Sequence, residues 1–167
     1  DHQQEFLEVL EGAVRRESPT EGDPNDLIAC RDYFAGLFRE IGFHVTTVKS
    51  LDPRFADHLL VEYGAGAGRA AEELAQWLKT RGRFPVPQWE PSVGGASRQL
   101  LFGGHYDTVH EKGIFGDSLW NIEGDHAIGP GILDMKSGDV QVYLIAKAFQ
   151  DLGLMPEGAR LAFLLTS

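Results

Sequence analysis

The apolar run QLLFGG at 99–104 passes directly into HYDTV, so a histidine and an aspartate stand where a strand gives out. A short apolar run without alternation, bounded by glycine, reads as a strand covered on both faces. ARLAFLLTS at 159–167 has the same character. Strands of this kind need helices packed over them, and the chain supplies apolar faces at helical spacing. Phe6, Leu7, Leu10, Ala13 and Val14 form one face, which ends before Ser18-Pro19. Asp23-Pro24 opens a second helix, with Asp23 as its cap and Pro24 in its first turn. Its apolar face is Leu27, Ile28, Phe34, Leu37, Phe38 and Ile41, and Gly42 is its stop. A third helix runs from Asp139 to Leu152 and stops at Gly153. Its inner face reads as Val140, Leu144 and Ala148 together with Ile145, Phe149 and Leu152. FHVTTV (43–48) and HLLVEY (58–63) are further strands, and Trp120, Ile122 and Ile128 are spaced for a short hairpin. Such alternation predicts an α/β domain, a three-layer sandwich around a mixed, largely parallel central sheet.

The 167 residues suffice for one core but not comfortably for two. A net charge of −10 opposes a nucleic-acid backbone as partner. No run of eighteen apolar residues is present to span a membrane. The single cysteine, Cys30, sits in a helical apolar pattern and reads as a small buried hydrophobe. The compartment stays open: a cytoplasmic location is slightly favoured, while a leader removed ahead of Asp1 would make the protein secreted or periplasmic. The last strand runs to Ser167 without a turn, which suggests the front part of a longer domain. Residues 64–98 stand out, with GAGAGR, a helical AAEELAQWLK and the proline-rich RFPVPQWEPSVGGAS. Residues 66–71 match a degenerate dinucleotide-binding pattern with Glu90 downstream. The prolines of FPVPQWEP spoil the strand that should carry Glu90, so a glycine loop is the better reading.

Sites in open α/β sheets collect beyond the carboxyl ends of strands, where His105 and Asp107 lie. With a period of two, both point to the same side. A second polar cluster is GPGILDMKSGD (129–139), with Asp134 on the approach to the third helix. As plain structure, His105 and Asp107 would stabilise a turn and Asp134 would serve a helix N-terminus. As chemistry, imidazole with carboxylate suits zinc, and a ligating histidine usually gives its other N–H to a carboxylate. His110 and His126 are surface residues or cleft lining, and Asp117, Glu123 and Asp125 are simplest as solvated loop residues.

GGHYDTV followed by GPGILDMKSG resembles the paired motifs of the zinc aminoacylase and glutamate carboxypeptidase family. That family includes acetylornithine deacetylase, succinyl-diaminopimelate desuccinylase and a bacterial folate-cleaving carboxypeptidase. The resemblance extends to the N-terminal helix, SPT at 18–20, the helix ending in IGF and the closing strand. It implies that His105 ligates one zinc, that Asp134 bridges two, and that Asp107 orients the His105 ring as part of the catalytic set. Cobalt or manganese would be substitutes. It also implies a cis peptide at Asp134–Met135. The general-base glutamate, the remaining ligands and a lid or dimerisation domain would lie outside these residues, so this piece alone is expected to be inactive. The implied reaction is hydrolysis of a small peptide or an N-acyl amino acid, by an enzyme that forms a homodimer. Residues 64–98 are then an insertion, and Ser137 stands where glycine is commoner. The alternatives are a metal-free relative acting as a binding or regulatory module and, further behind, a dinucleotide-binding module.

Overall fold

The computed structural model describes residues 2–52, 55–64, 67–68, 99–154 and 160–167. Helix α1 (His2–Val14) and helix α2 (Pro24–Glu40) are followed by strands β1 (His44–Val48) and β2 (His58–Gly64). Strand β3 (Gln99–His105) leads into a hairpin of β4 (Asn121–Glu123) and β5 (His126–Ile128). A wide turn (Ile132–Lys136), helix α3 (Ser137–Asp151) and strand β6 (Arg160–Thr166) complete the order. The expected insertion and the dinucleotide-like pattern fall almost entirely outside the described residues.

Local chemistry sets the helix boundaries. The Asp23 carboxylate accepts from the Asn25 N–H with Pro24 at the first position, and Gly42 follows α2 at φ +82°. Gly153 ends α3 at φ +60°, a backbone state that costs a residue with a Cβ.

The main sheet has the order β1-β2-β6-β3. It is mixed as expected, but less parallel: β1–β2 and β2–β6 are antiparallel, and only β3–β6 is parallel among the described strands. Leu59 and Val61 of β2 and Leu161, Phe163 and Leu165 of β6 face one core with residues of all three helices. Phe163 is central to it, with the rings of Phe38 and Phe102 each 5.2 Å away. On the opposite face Leu60 and Ala162 are buried too, so β2 and β6 are covered on both sides. The helices of the described residues lie over the first face.

Two expectations are corrected. Among the described residues β3 is an edge strand, and Leu100 and Leu101 are more than half exposed; β2 and β6 are the strands flanked on both sides. Helix α3 is also turned relative to the expected face. It buries Asp139, Val140, Tyr143 and Ala146, while Ile145, Phe149 and Leu152 are exposed. Tyr143 decides the rotation, because its ring meets Phe38 edge-on at 5.6 Å inside the core.

The parallel pairing of β3 with β6 brings two strand ends together. In its register His105 stands opposite Thr166, so the carboxyl ends of β3 and β6 lie side by side, and the Tyr106 N–H donates to the Thr166 carbonyl.

Candidate metal centre

Three segments meet beyond the end of β3. The first is β3's own continuation, where alternation buries Tyr106 fully and turns His105 and Asp107 the other way. The Tyr106 hydroxyl donates to the Asp57 carbonyl at 2.8 Å, which pins the loop from below. Burial pushes the Tyr106 phenol up to about 12, so it stays protonated. The second segment is Ser18-Pro19-Thr20, after α1. The Ser18 hydroxyl donates to the Tyr106 carbonyl, the Thr108 N–H to the Ser18 carbonyl, and the Thr20 N–H to the Thr108 carbonyl. Together they add a short parallel strap to the loop.

The third segment is the wide turn at 132–136. Gly131 enters it at φ +70°, the Lys136 N–H closes it onto the Gly131 carbonyl, and Asp134–Met135 is cis as the resemblance implied. Gly129 is needed for close approach, because a Cβ there would fall 2.4 Å from the Leu119 carbonyl oxygen. Lys136 is wholly buried, and its ammonium donates to the Ala13 and Arg16 carbonyls at the end of α1. Burial draws its pKa below the usual lysine value.

The turn delivers Asp134 to His105. His105 Nδ1 lies 3.1 Å from Asp107 Oδ1, and Nε2 lies 3.0 Å from Asp134 Oδ1. All three residues predicted from sequence are therefore brought together. Partial burial works against a charged His105 ring, but the hydrogen bond to Asp134 and the Asp107 carboxylate outweigh it and raise the pKa. In a neutral ring that gives its Nδ1–H to Asp107, Nε2 is a lone pair facing a second acceptor. Two acceptors at 3.0 Å need a proton or a cation between them. Their separation is close to the roughly 3.3 Å edge that tetrahedral zinc with N and O ligands would span. Nitrogen and carboxylate donors, an exposed Asp134 and a ring fixed from behind thus fit half of a metal site. Among the described residues no third histidine, cysteine, aspartate or glutamate completes it.

Three contributors were not assigned roles from the sequence. Thr20 donates to Asp107 Oδ2 at 2.6 Å. Lys136 anchors the Asp134 turn. Asp139, in the first turn of α3, is almost fully buried beneath β3, so close to Gly104 that a Cβ there would lie 2.2 Å from its Oδ1. Among the described residues its Oδ2 has no hydrogen-bond partner, and burial pushes its pKa up to about 8. An acidic residue in a first helical turn reads from sequence as a solvated partner of the helix end, and nothing local signals its burial. His110 packs edge-on against Phe115, and His126 is exposed on the hairpin, so neither joins the site.

The candidate site residues thus meet beyond the carboxyl end of β3 in a mixed sheet. The chain shares its fold with human carnosine dipeptidase 1, at a TM-score of 0.65 and 18% identity over 99% of this chain and 32% of that one. It likewise matches an M20 family metallo-carboxypeptidase of Sulfolobus solfataricus, at a TM-score of 0.63 and 14% identity over 96% of this chain and 30% of the other. In sequence it is similar to carboxypeptidase G2 of Pseudomonas sp. (strain RS-16), 28% identical over 158 residues, 95% of this chain. The resemblance carried by GGHYDTV and GPGILDMKSG therefore holds. The chain spans about a third of the length of these relatives, 31% in the case of carboxypeptidase G2. No protein-family model matches it.

Proposed function

We propose that this chain supplies the first half of a dinuclear zinc site in a hydrolase of amide or peptide bonds. One observation carries the reading: His105, held at Nδ1 by Asp107, turns Nε2 onto the Asp134 carboxylate at 3.0 Å. In this reading His105 would hold one zinc and Asp134 would be shared between the two, with cobalt or manganese able to use the same donors. Zinc bound there supplies a Lewis acid for the scissile carbonyl and a water acidic enough to react near neutral pH. The chain's own residues hold and orient. Asp107 fixes the His105 tautomer, and Lys136 ties the Asp134 turn to α1. The other ligands and the general base would lie outside these residues. Similarity to carboxypeptidase G2 and the proline at the centre of GPG (129–131) favour a peptide substrate over an N-acyl amino acid. Homodimerisation through a lid domain and a cytoplasmic location belong to the same reading, with no role for nucleic acid or membrane.

The test is hydrolysis by the full-length protein of two panels, peptides ending in glutamate and N-acyl amino acids. Cleavage that a chelator abolishes and added zinc restores is the expected result. Cleavage indifferent to the chelator, or none in the presence of zinc, would count against the reading and favour a non-catalytic relative.

A further inference from the structure

We propose that Thr20 is a positioning residue of the metal site, acting on His105 through Asp107. The inference rests on the zinc reading above and extends it by one residue. Asp107 has two carboxylate oxygens with separate tasks: Oδ1 faces His105 Nδ1 at 3.1 Å, and Oδ2 accepts from the Thr20 hydroxyl at 2.6 Å. With both oxygens engaged, the carboxylate cannot rotate about its terminal torsion, which is otherwise broad. The backbone carbonyl of Asp107 lies 3.2 Å from the same Nδ1, so the ring's proton is drawn to that nitrogen from two directions. Nε2 is thereby left as the lone pair that faces Asp134.

The Thr20 hydroxyl has a second acceptor in reach, the Thr108 carbonyl at 3.1 Å, but only one proton to give. That carbonyl already receives the Thr20 N–H at 2.9 Å. A hydroxyl donating to a carboxylate makes the shorter and stronger bond, so the proton goes to Asp107. The strap fixes where the hydroxyl stands. Pro19 pairs with Thr108, Thr108 N–H donates to the Ser18 carbonyl, and the β-branched side chain has few rotamers. The SPT stretch thus carries a purpose beyond ending α1: it delivers one hydroxyl to the back of the aspartate that orients the histidine.

The test measures zinc affinity by chelator competition in the full-length protein, for wild type, Thr20→Val, Thr20→Ser, Asp107→Ala, the double variant Thr20→Val/Asp107→Ala, and His105→Ala. Thermal unfolding of each metal-free protein is followed alongside. Valine keeps the shape and removes the donor, so affinity should fall roughly 10-fold or more, as for changes behind a ligating histidine. Serine keeps the donor and should stay within about 3-fold of wild type. In the Asp107→Ala background, Thr20→Val should cost nothing further, since the residue it acts on is gone. Affinity of Thr20→Val within about 2-fold of wild type, or an undiminished loss in the Asp107→Ala background, would overturn the inference while leaving the zinc site standing. If wild type binds no zinc, or His105→Ala binds it equally well, the reading beneath falls and takes the inference with it.

Discussion

Lys136→Ala is expected to destabilise the domain by roughly 3–5 kcal/mol, the range of deleting a large, fully buried side chain. Lys136 is unusual in being wholly buried with, among the described residues, no carboxylate bonded to its ammonium; the partners are the Ala13 and Arg16 carbonyls. Ala13 is in the last turn of α1 and Arg16 two residues past its end, where a positive charge is favoured. Alanine removes the stem from the core, takes the ammonium from the Arg16 carbonyl and withdraws the charge together, while the Ala13 carbonyl keeps the Arg16 N–H. Lys136→Met separates these effects, because it restores most of the packing. It should recover about half of the loss, the remainder being the unmade hydrogen bonds at roughly 1–3 kcal/mol. Denaturant unfolding of the two variants against wild type measures both quantities. A loss under about 1 kcal/mol for alanine would mean that the ammonium's desolvation cancels its bonds, and that α1 and the Asp134 turn are held by something else.

The second large effect concerns Asp139 and pH. Its native pKa of about 8 lies well above the roughly 3.9 of an unfolded aspartate. Between those values the native state binds a proton that the unfolded chain does not. Stability contributed by this group is therefore complete below about pH 4 and is lost as pH rises through 8. Over the three pH units from 5 to 8 the loss is on the order of 4 kcal/mol, at about 1.4 kcal/mol per unit. Asp139→Asn removes the titration. The variant carries its own constant offset, because an amide at the position of the unpartnered Oδ2 is also unsatisfied. The informative quantity is the difference between wild type and variant, which should shift by about 4 kcal/mol in the variant's favour between pH 5 and pH 8. A difference constant within about 1 kcal/mol across the range would show that Asp139 ionises freely and that its surroundings are better hydrated than its burial indicates.

The parts of this molecule that were legible in the sequence are those decided by neighbours in the chain. Asp23-Pro24 fixes the start of α2 through a cap and a preset φ, and Gly42 and Gly153 fix helix ends through positive φ. His105 and Asp107 share a side because strands alternate. What the sequence hid was decided across distance. Helix α3 carries two apolar stripes, and only packing against Phe38 shows that the face with Tyr143 is inside while Ile145, Phe149 and Leu152 are out. Whether QLLFGG lies in the middle or at the edge of a sheet depends on pairing partners, which its composition does not encode. Thr20 lies 87 residues from Asp107, and a threonine after a proline carries no mark of the carboxylate it will meet. Lysine and aspartate are almost never fully buried, so Lys136 and Asp139 read as surface residues until the fold encloses them. The candidate site residues are marked by a paired motif; spacing alone reads His105 and Asp107 more readily as a turn than as a ligand.

The most direct test of the central claim is a zinc titration of the full-length protein, with His105→Ala and Asp134→Ala alongside. Two zinc ions per chain, with each variant losing affinity by more than the roughly 10–100-fold typical of changes behind the ligands, is the predicted result. No tight zinc in the wild type, or variants that bind as the wild type does, would contradict it and leave the His105–Asp134 contact as an ordinary hydrogen bond at a strand end.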